Sequence, residues 1–155
     1  PLLAKMAREI EMLKLLKIES VGTAAKLRAL LAEAGEHIDG PFDGEEGITL
    51  IADLDAGATG TMTSATMTDQ IKPVVTHHLA GDRDAAMAAY ARVLPAINHE
   101  NRQCGFRAAK ETMKEGGVIK SAFCRHPIPP LASEPLEALM ALLRPLDPIA
   151  LRWGK

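Results

Sequence analysis

The sequence predicts an α/β chain, with βα units around a parallel sheet over residues 1–81 and a purely helical region over 82–155. Three observations carry this. Short apolar or β-prone stretches alternate with amphipathic helical stretches in the first half, the connections between them are short, and beyond Gly81 helix follows helix with no strand between.

Residues 2–11 place Leu3, Met6 and Ile10 at three- and four-residue spacing among Lys5, Arg8, Glu9 and Glu11, the pattern of an amphipathic helix. Leu13, Leu15, Leu16 and Ile18 then form an apolar run broken by Lys14 and Lys17, as expected for a parallel strand buried on both faces. Thr23 is an expected N-cap for a helix through Ala34, with Leu27, Leu30 and Leu31 on one face and Gly35 just past the end. The stretch from His37 to Gly44 reads as strand or loop. A helix is expected over 45–56, where Ile48, Ile51 and Leu54 share a face, and Gly57 stops it. Residues 58–63 are β-prone, and Thr66 or Thr68 can cap a helix carrying Ile71, Val74, Val75 and His78 to near Gly81. Helices follow over 82–94, 103–115 and 134–144, separated by turns at Pro95, Gly116-Gly117 and the Pro127–Pro130 cluster. Asn98-His99-Glu100 reads as a polar turn, and Met67, Met87, Met113 and Met140 as core fillers.

Composition narrows the function classes. A formal net charge of -2 with scattered Lys and Arg predicts no nucleic-acid partner, and no apolar run approaches the ~20 residues of a membrane span. Cys104 and Cys124 lack metal-ligand spacing and fit a reducing, cytoplasmic compartment. His77 and His78 have no third ligand at metal spacing, so no metal and no cofactor is expected. The chain opens on Pro1 rather than Met, which suggests a piece of a longer polypeptide.

The order of these elements, together with three local stretches, resembles the dihydrodipicolinate synthase / N-acetylneuraminate lyase superfamily. Leu15-Leu16-Lys17-Ile18-Glu19 is similar to the sixth strand of that family's barrel, whose lysine forms a Schiff base. Gly40 through Glu46, with Gly44-Glu45-Glu46, is similar to the glycine-acid-acid stretch after the seventh strand. Gly57-Ala58-Thr59-Gly60-Thr61-Met62 resembles the eighth. Asp82, Ala85, Ala86, Leu94 and Pro95, then Lys110 through Gly117, resemble the helices beyond the barrel. In Lys17-Ile18-Glu19 the acid stands one residue later than in the commoner arrangement, which is closer to the sugar-acid branch.

The resemblance implies the C-terminal part of a (β/α)8 barrel, about strands six to eight, followed by extra helices. A whole barrel needs ~250 residues, so five strands would lie elsewhere, along with the family's proton-relaying tyrosine and the loop that holds the substrate carboxylate. Tyr90 falls in a later helix and does not match that tyrosine. Lys17 is the implied catalytic amine, and Glu19, Gly40, Gly44, Glu45, Gly60 and Met62 are the implied substrate-binding residues. The implied activity is metal-free Schiff-base chemistry on a small 2-keto acid, most of all dehydration of a 2-keto-3-deoxy sugar acid. A synthase, an aldolase and a noncatalytic barrel fragment are the alternatives, and a homotetramer is the implied assembly.

The residues themselves set two conditions. A Schiff base needs a neutral amine, whereas lysine in water keeps its proton to a pKa of ~10.4. Burial among Leu15, Leu16 and Ile18 is expected to disfavour the ammonium. Period-two alternation, however, places Glu19 on the same strand face as Lys17, where a carboxylate favours it.

Overall fold

The computed structural model describes residues 1–155, which form two compact units: Pro1–Thr63 with Val75–Met87, and Ser64–Val74 with Ala88–Lys155. In the first unit, α1 (Leu2–Glu9) leads into β1 (Leu15–Ile18), α2 (Thr23–Ala34), β2 (Gly40–Asp43), α3 (Leu50–Asp55) and β3 (Gly60–Thr61). The three strands lie parallel in the order β1-β2-β3. Leu15 is paired with Gly40, Lys17 with Phe42, and Phe42 with Gly60. Parallel partners share a face, so this register divides the sheet cleanly. Ile18 and Asp43 are buried on the side where Ala4, Ala7, Leu27, Leu30, Ile51 and Leu54 supply the core.

The opposite face is uncovered. Leu15 is 60% exposed, and Lys17 beside it is also exposed, so β1 is not the strand buried on both faces that its apolar run suggested. The run signals one buried face only: on the other, Leu15 and Lys17 are exposed and Phe42 is half-buried.

Several element ends differ from expectation for local reasons. Gly22, left-handed at φ 81°, is the N-cap of α2, while the Thr23 hydroxyl donates to the Ser20 carbonyl rather than capping. The helix expected over 45–56 begins only at Leu50. Glu46 and Gly47 take positive φ, 59° and 86°, which a right-handed helix cannot accommodate. The β-prone stretch 58–63 pairs only at Gly60–Thr61.

α4 (Thr68–Leu79) and α5 (Arg83–His99) follow. α5 continues through Pro95, whose ring removes one backbone hydrogen bond; the turn beyond it buries Ala96 and Ile97 almost completely, and that apolar burial offsets the loss. Asn98 and His99 are therefore helical rather than a polar turn. Glu100–Cys104 makes a π-turn and Gly105–Arg107 a 3₁₀ turn, so α6 starts at Ala108 and ends at Glu115. Glu100 is buried and accepts from the hydroxyls of Ser64 at 2.6 Å and Thr66 at 3.1 Å. α7 (Ser133–Leu143) adds Leu139, Met140 and Leu143 to the core of the second unit. Met67 fills core as expected, but Met87 is 41% exposed. Tyr90 is buried within α5. No helix is long and apolar enough to cross a membrane, and His, Cys, Asp and Glu form no metal-holding group.

Candidate active site

The uncovered sheet face gathers most of the residues singled out from the sequence. The register puts Lys17, Gly40, Phe42 and Gly60 on it. Alternation carries Glu19, Gly44 and Met62 onto the same side just past the strand ends. Lys17 Nζ lies 3.0 Å from Glu19 Oε2 across two partly exposed side chains. The expected burial of Lys17 is not present in this chain. Lys17 and Glu19 also border a cleft of about 450 Å³ whose other walls include Leu3, Lys26, Leu30 and Glu33 of α1 and α2.

The glycines are spaces that neighbouring side chains fill. A methyl group on Gly44 would stand 2.7 Å from Lys17 Cγ and 2.8 Å from its Cε, closer than real contacts allow. Gly40 and Gly60 likewise leave room for Leu15 and the Phe42 ring. Gly44 is therefore the point where the turn after β2 lies directly against the Lys17 stem, limiting where the amine can swing.

Glu45 lies in that turn and not on the strand face. Its amide donates to Asp43 Oδ1 at 3.0 Å, and the Gly47 amide donates to Asp43 Oδ2 at 3.0 Å. Thr61, between Gly60 and Met62, donates its hydroxyl to Asp43 Oδ2 at 2.6 Å from the opposite face of the sheet. Asp43 is fully buried, as is Asp53 of α3, which accepts from the Thr49 hydroxyl at 2.6 Å. Burial, reinforced by the Asp43 and Glu45 carboxylates, pushes the Asp53 carboxyl up to about 6, against the lowering effect of Thr49.

Sequence reasoning passed over Asp43, Asp53 and Phe42. One signal was available for Asp43: an aspartate two residues before a turn amide commonly accepts from it. Asp53 carried none, because helical spacing shows which side of a helix faces the core but not that a carboxylate there has an acidic neighbour.

An amine and carboxylates at the carboxyl ends of parallel strands are the layout of α/β proteins that bind their ligands at strand ends. The dihydrodipicolinate synthetase family model matches residues 9–146, and the chain belongs to that family. It is 52% identical over 154 residues to the L-2-keto-3-deoxyarabonate dehydratase of Azospirillum brasilense, covering 99% of this chain and 50% of that protein. The chain thus spans about half the length of this curated relative. Among solved structures it is similar to the dihydrodipicolinate synthase of Rhodopseudomonas palustris, with 27% identity, a TM-score of 0.74, and coverage of 83% of this chain and 44% of that one. The dihydrodipicolinate synthase of Aquifex aeolicus shares the fold at 19% identity and a TM-score of 0.81, over 92% of this chain and 48% of that one.

Proposed function

We propose that this chain is the C-terminal part of a (β/α)8-barrel lyase in which Lys17 forms a Schiff base with a 2-keto-3-deoxy sugar acid, such as L-2-keto-3-deoxyarabonate, and the enzyme dehydrates it. Residues 1–81 supply the last βα units, since every strand of the chain falls there, and 82–155 the helices that follow. The observation that carries the proposal is the 52% identity to the Azospirillum dehydratase over 99% of the chain.

The Lys17 amine adds to the C2 ketone, and loss of water leaves an iminium. The iminium draws electrons from C3, so a proton leaves C3 to give an enamine, which expels the C4 hydroxyl as water. Hydrolysis of the imine then returns the amine and a keto acid one water poorer. Glu19, 3.0 Å from Lys17 Nζ, holds the ammonium before substrate enters and afterwards is free to accept from a substrate hydroxyl. Gly40, Gly44 and Gly60 keep the strand ends open, and Glu45 and Met62 border the space. No metal or cofactor is required. Remaining strands from the rest of the polypeptide would bury Lys17, assembly would be as a homotetramer, and the free thiols of Cys104 and Cys124 suit a cytoplasmic enzyme.

The test is borohydride trapping in the full polypeptide. Incubation with pyruvate or a 2-keto-3-deoxy-pentonate and borohydride is expected to modify Lys17, and Lys17→Ala is expected to abolish both labelling and turnover. Label on Lys14 or Lys26 would overturn the assignment. Faster condensation of pyruvate with aspartate semialdehyde would make the protein a synthase, and pyruvate release from the sugar acid an aldolase.

A further inference from the structure

We propose that Asp43 is a positioning residue for the Schiff-base lysine: by gathering the Glu45 and Gly47 amides and the Thr61 hydroxyl on one buried carboxylate, it fixes the turn that presses Gly44 against the Lys17 stem. The proposal rests on the assignment of Lys17 as the amine.

A carboxylate has about four acceptor positions. Three on Asp43 are taken by donors at 3.0, 3.0 and 2.6 Å. Buried Asp53 has an Oδ1 without a donor, and burial together with the Asp43 carboxylate raises its carboxyl to about 6. The elevated Asp53 carboxyl retains its proton where an exposed aspartic acid has lost it. Glu45 is the other acid acting on it from the turn. On α2, Lys26 is bonded to Ser20 and Val21, Arg28 is exposed, and Glu33 meets the Pro1 ammonium. His78 and Arg83 are engaged by Asp55.

The turn this helps to fix carries a conformation that L side chains rarely adopt, Glu46 at φ 59°. The Gly44 amide donates to the Ile18 carbonyl at 3.0 Å and the Thr63 hydroxyl to the Glu46 carbonyl at 3.2 Å, and to these ties Asp43 adds the buried carboxylate that gathers two of the turn's amides. Gly44 lies against the Lys17 stem with no room for a Cβ, so in this proposal a shift of the turn becomes a shift of the amine.

The experiment uses the full polypeptide and compares Asp43→Asn, Thr61→Val and, as a destabilised control, Leu27→Ala in the buried core of α2. The measurements are the rate of borohydride trapping at Lys17, the Tm, and hydrogen exchange at the Glu45 and Gly47 amides. Asp43→Asn is expected to slow trapping by about tenfold or more, the scale of a misplaced reacting group, and to expose both amides to exchange. Thr61→Val is expected to do so to a lesser degree, while Leu27→Ala lowers the Tm without changing the trapping rate. Trapping at the wild-type rate in Asp43→Asn, or equal slowing in Leu27→Ala, overturns the proposal. Absence of label on wild-type Lys17 removes the Schiff-base assignment instead, and the exchange of the two amides still decides whether Asp43 holds the turn.

Discussion

Burial couples the ionisation of Asp53 to the folded state. Its carboxyl is raised from 3.8 to about 6, first by burial and then by Asp43 and Glu45. Between those values the folded chain holds a proton that the unfolded chain has released. The associated stability is therefore fully present below about pH 4, declines as pH rises toward 6, and is gone above it. A shift of this size corresponds to about 3 kcal/mol. Asp53→Asn keeps the shape and removes the titration, so its Tm relative to wild type is expected to climb from pH 4 to 6 and level off above. A difference that stays flat from pH 4 to 7 would rule out the buried protonated acid.

At the scale of elements, close backbone approach decides what is tolerated. At the end of α6, a methyl group on Gly116 would stand 1.8 Å from the Ala150 carbonyl oxygen, in the Ile149–Leu151 3₁₀ turn, while the Gly116 carbonyl accepts from the Gly154 amide at 3.0 Å. Both neighbours are backbone and cannot rotate away. Gly116→Ala is expected to lose about 1–3 kcal/mol, the usual cost of overpacking, with hydrogen exchange rising across α6 and the C-terminal turn; an unchanged denaturation midpoint would contradict it. The sequence already marked Gly116-Gly117 as a break, and the ranges of α1, α2 and α7 were legible from apolar spacing, because a helix packed on one face writes its period into the chain. The same spacing misled over 45–56. Ile48, Ile51 and Leu54 keep helical intervals although Glu46 and Gly47 have left the helical region, a backbone property that side-chain order does not encode. Pro95 misled in the other direction, since burial of Ala96 and Ile97 is a tertiary effect. In the candidate site, Lys17, Gly44 and Gly60 were singled out through the family resemblance, whereas the contact of Gly44 with the lysine stem and the bonds that Asp43 gathers behind the sheet depend on register.

For the whole molecule, the decisive feature is a sheet with two unpaired edges and one bare face. β1 and β3 are both edge strands, and the bare face shows Leu15 at 60% and Met62 at 42% exposure. Open parallel edges recruit other strands. Residues 1–155 expressed alone are expected to self-associate, measurable by light scattering and analytical ultracentrifugation; a monomer that unfolds in one cooperative step would refute this. The strand order has a further consequence for how the chain acquires its shape. Each strand pairs with its neighbour in sequence, Leu15 with Gly40 and Phe42 with Gly60. The loops to be closed are therefore on the order of 20 residues, and because closure entropy grows only slowly with length, no long-range search is needed. Assembly can run in the direction of synthesis, each βα unit docking onto the one before it as it leaves the ribosome, with the lysine-bearing strand serving as the template for the two that follow.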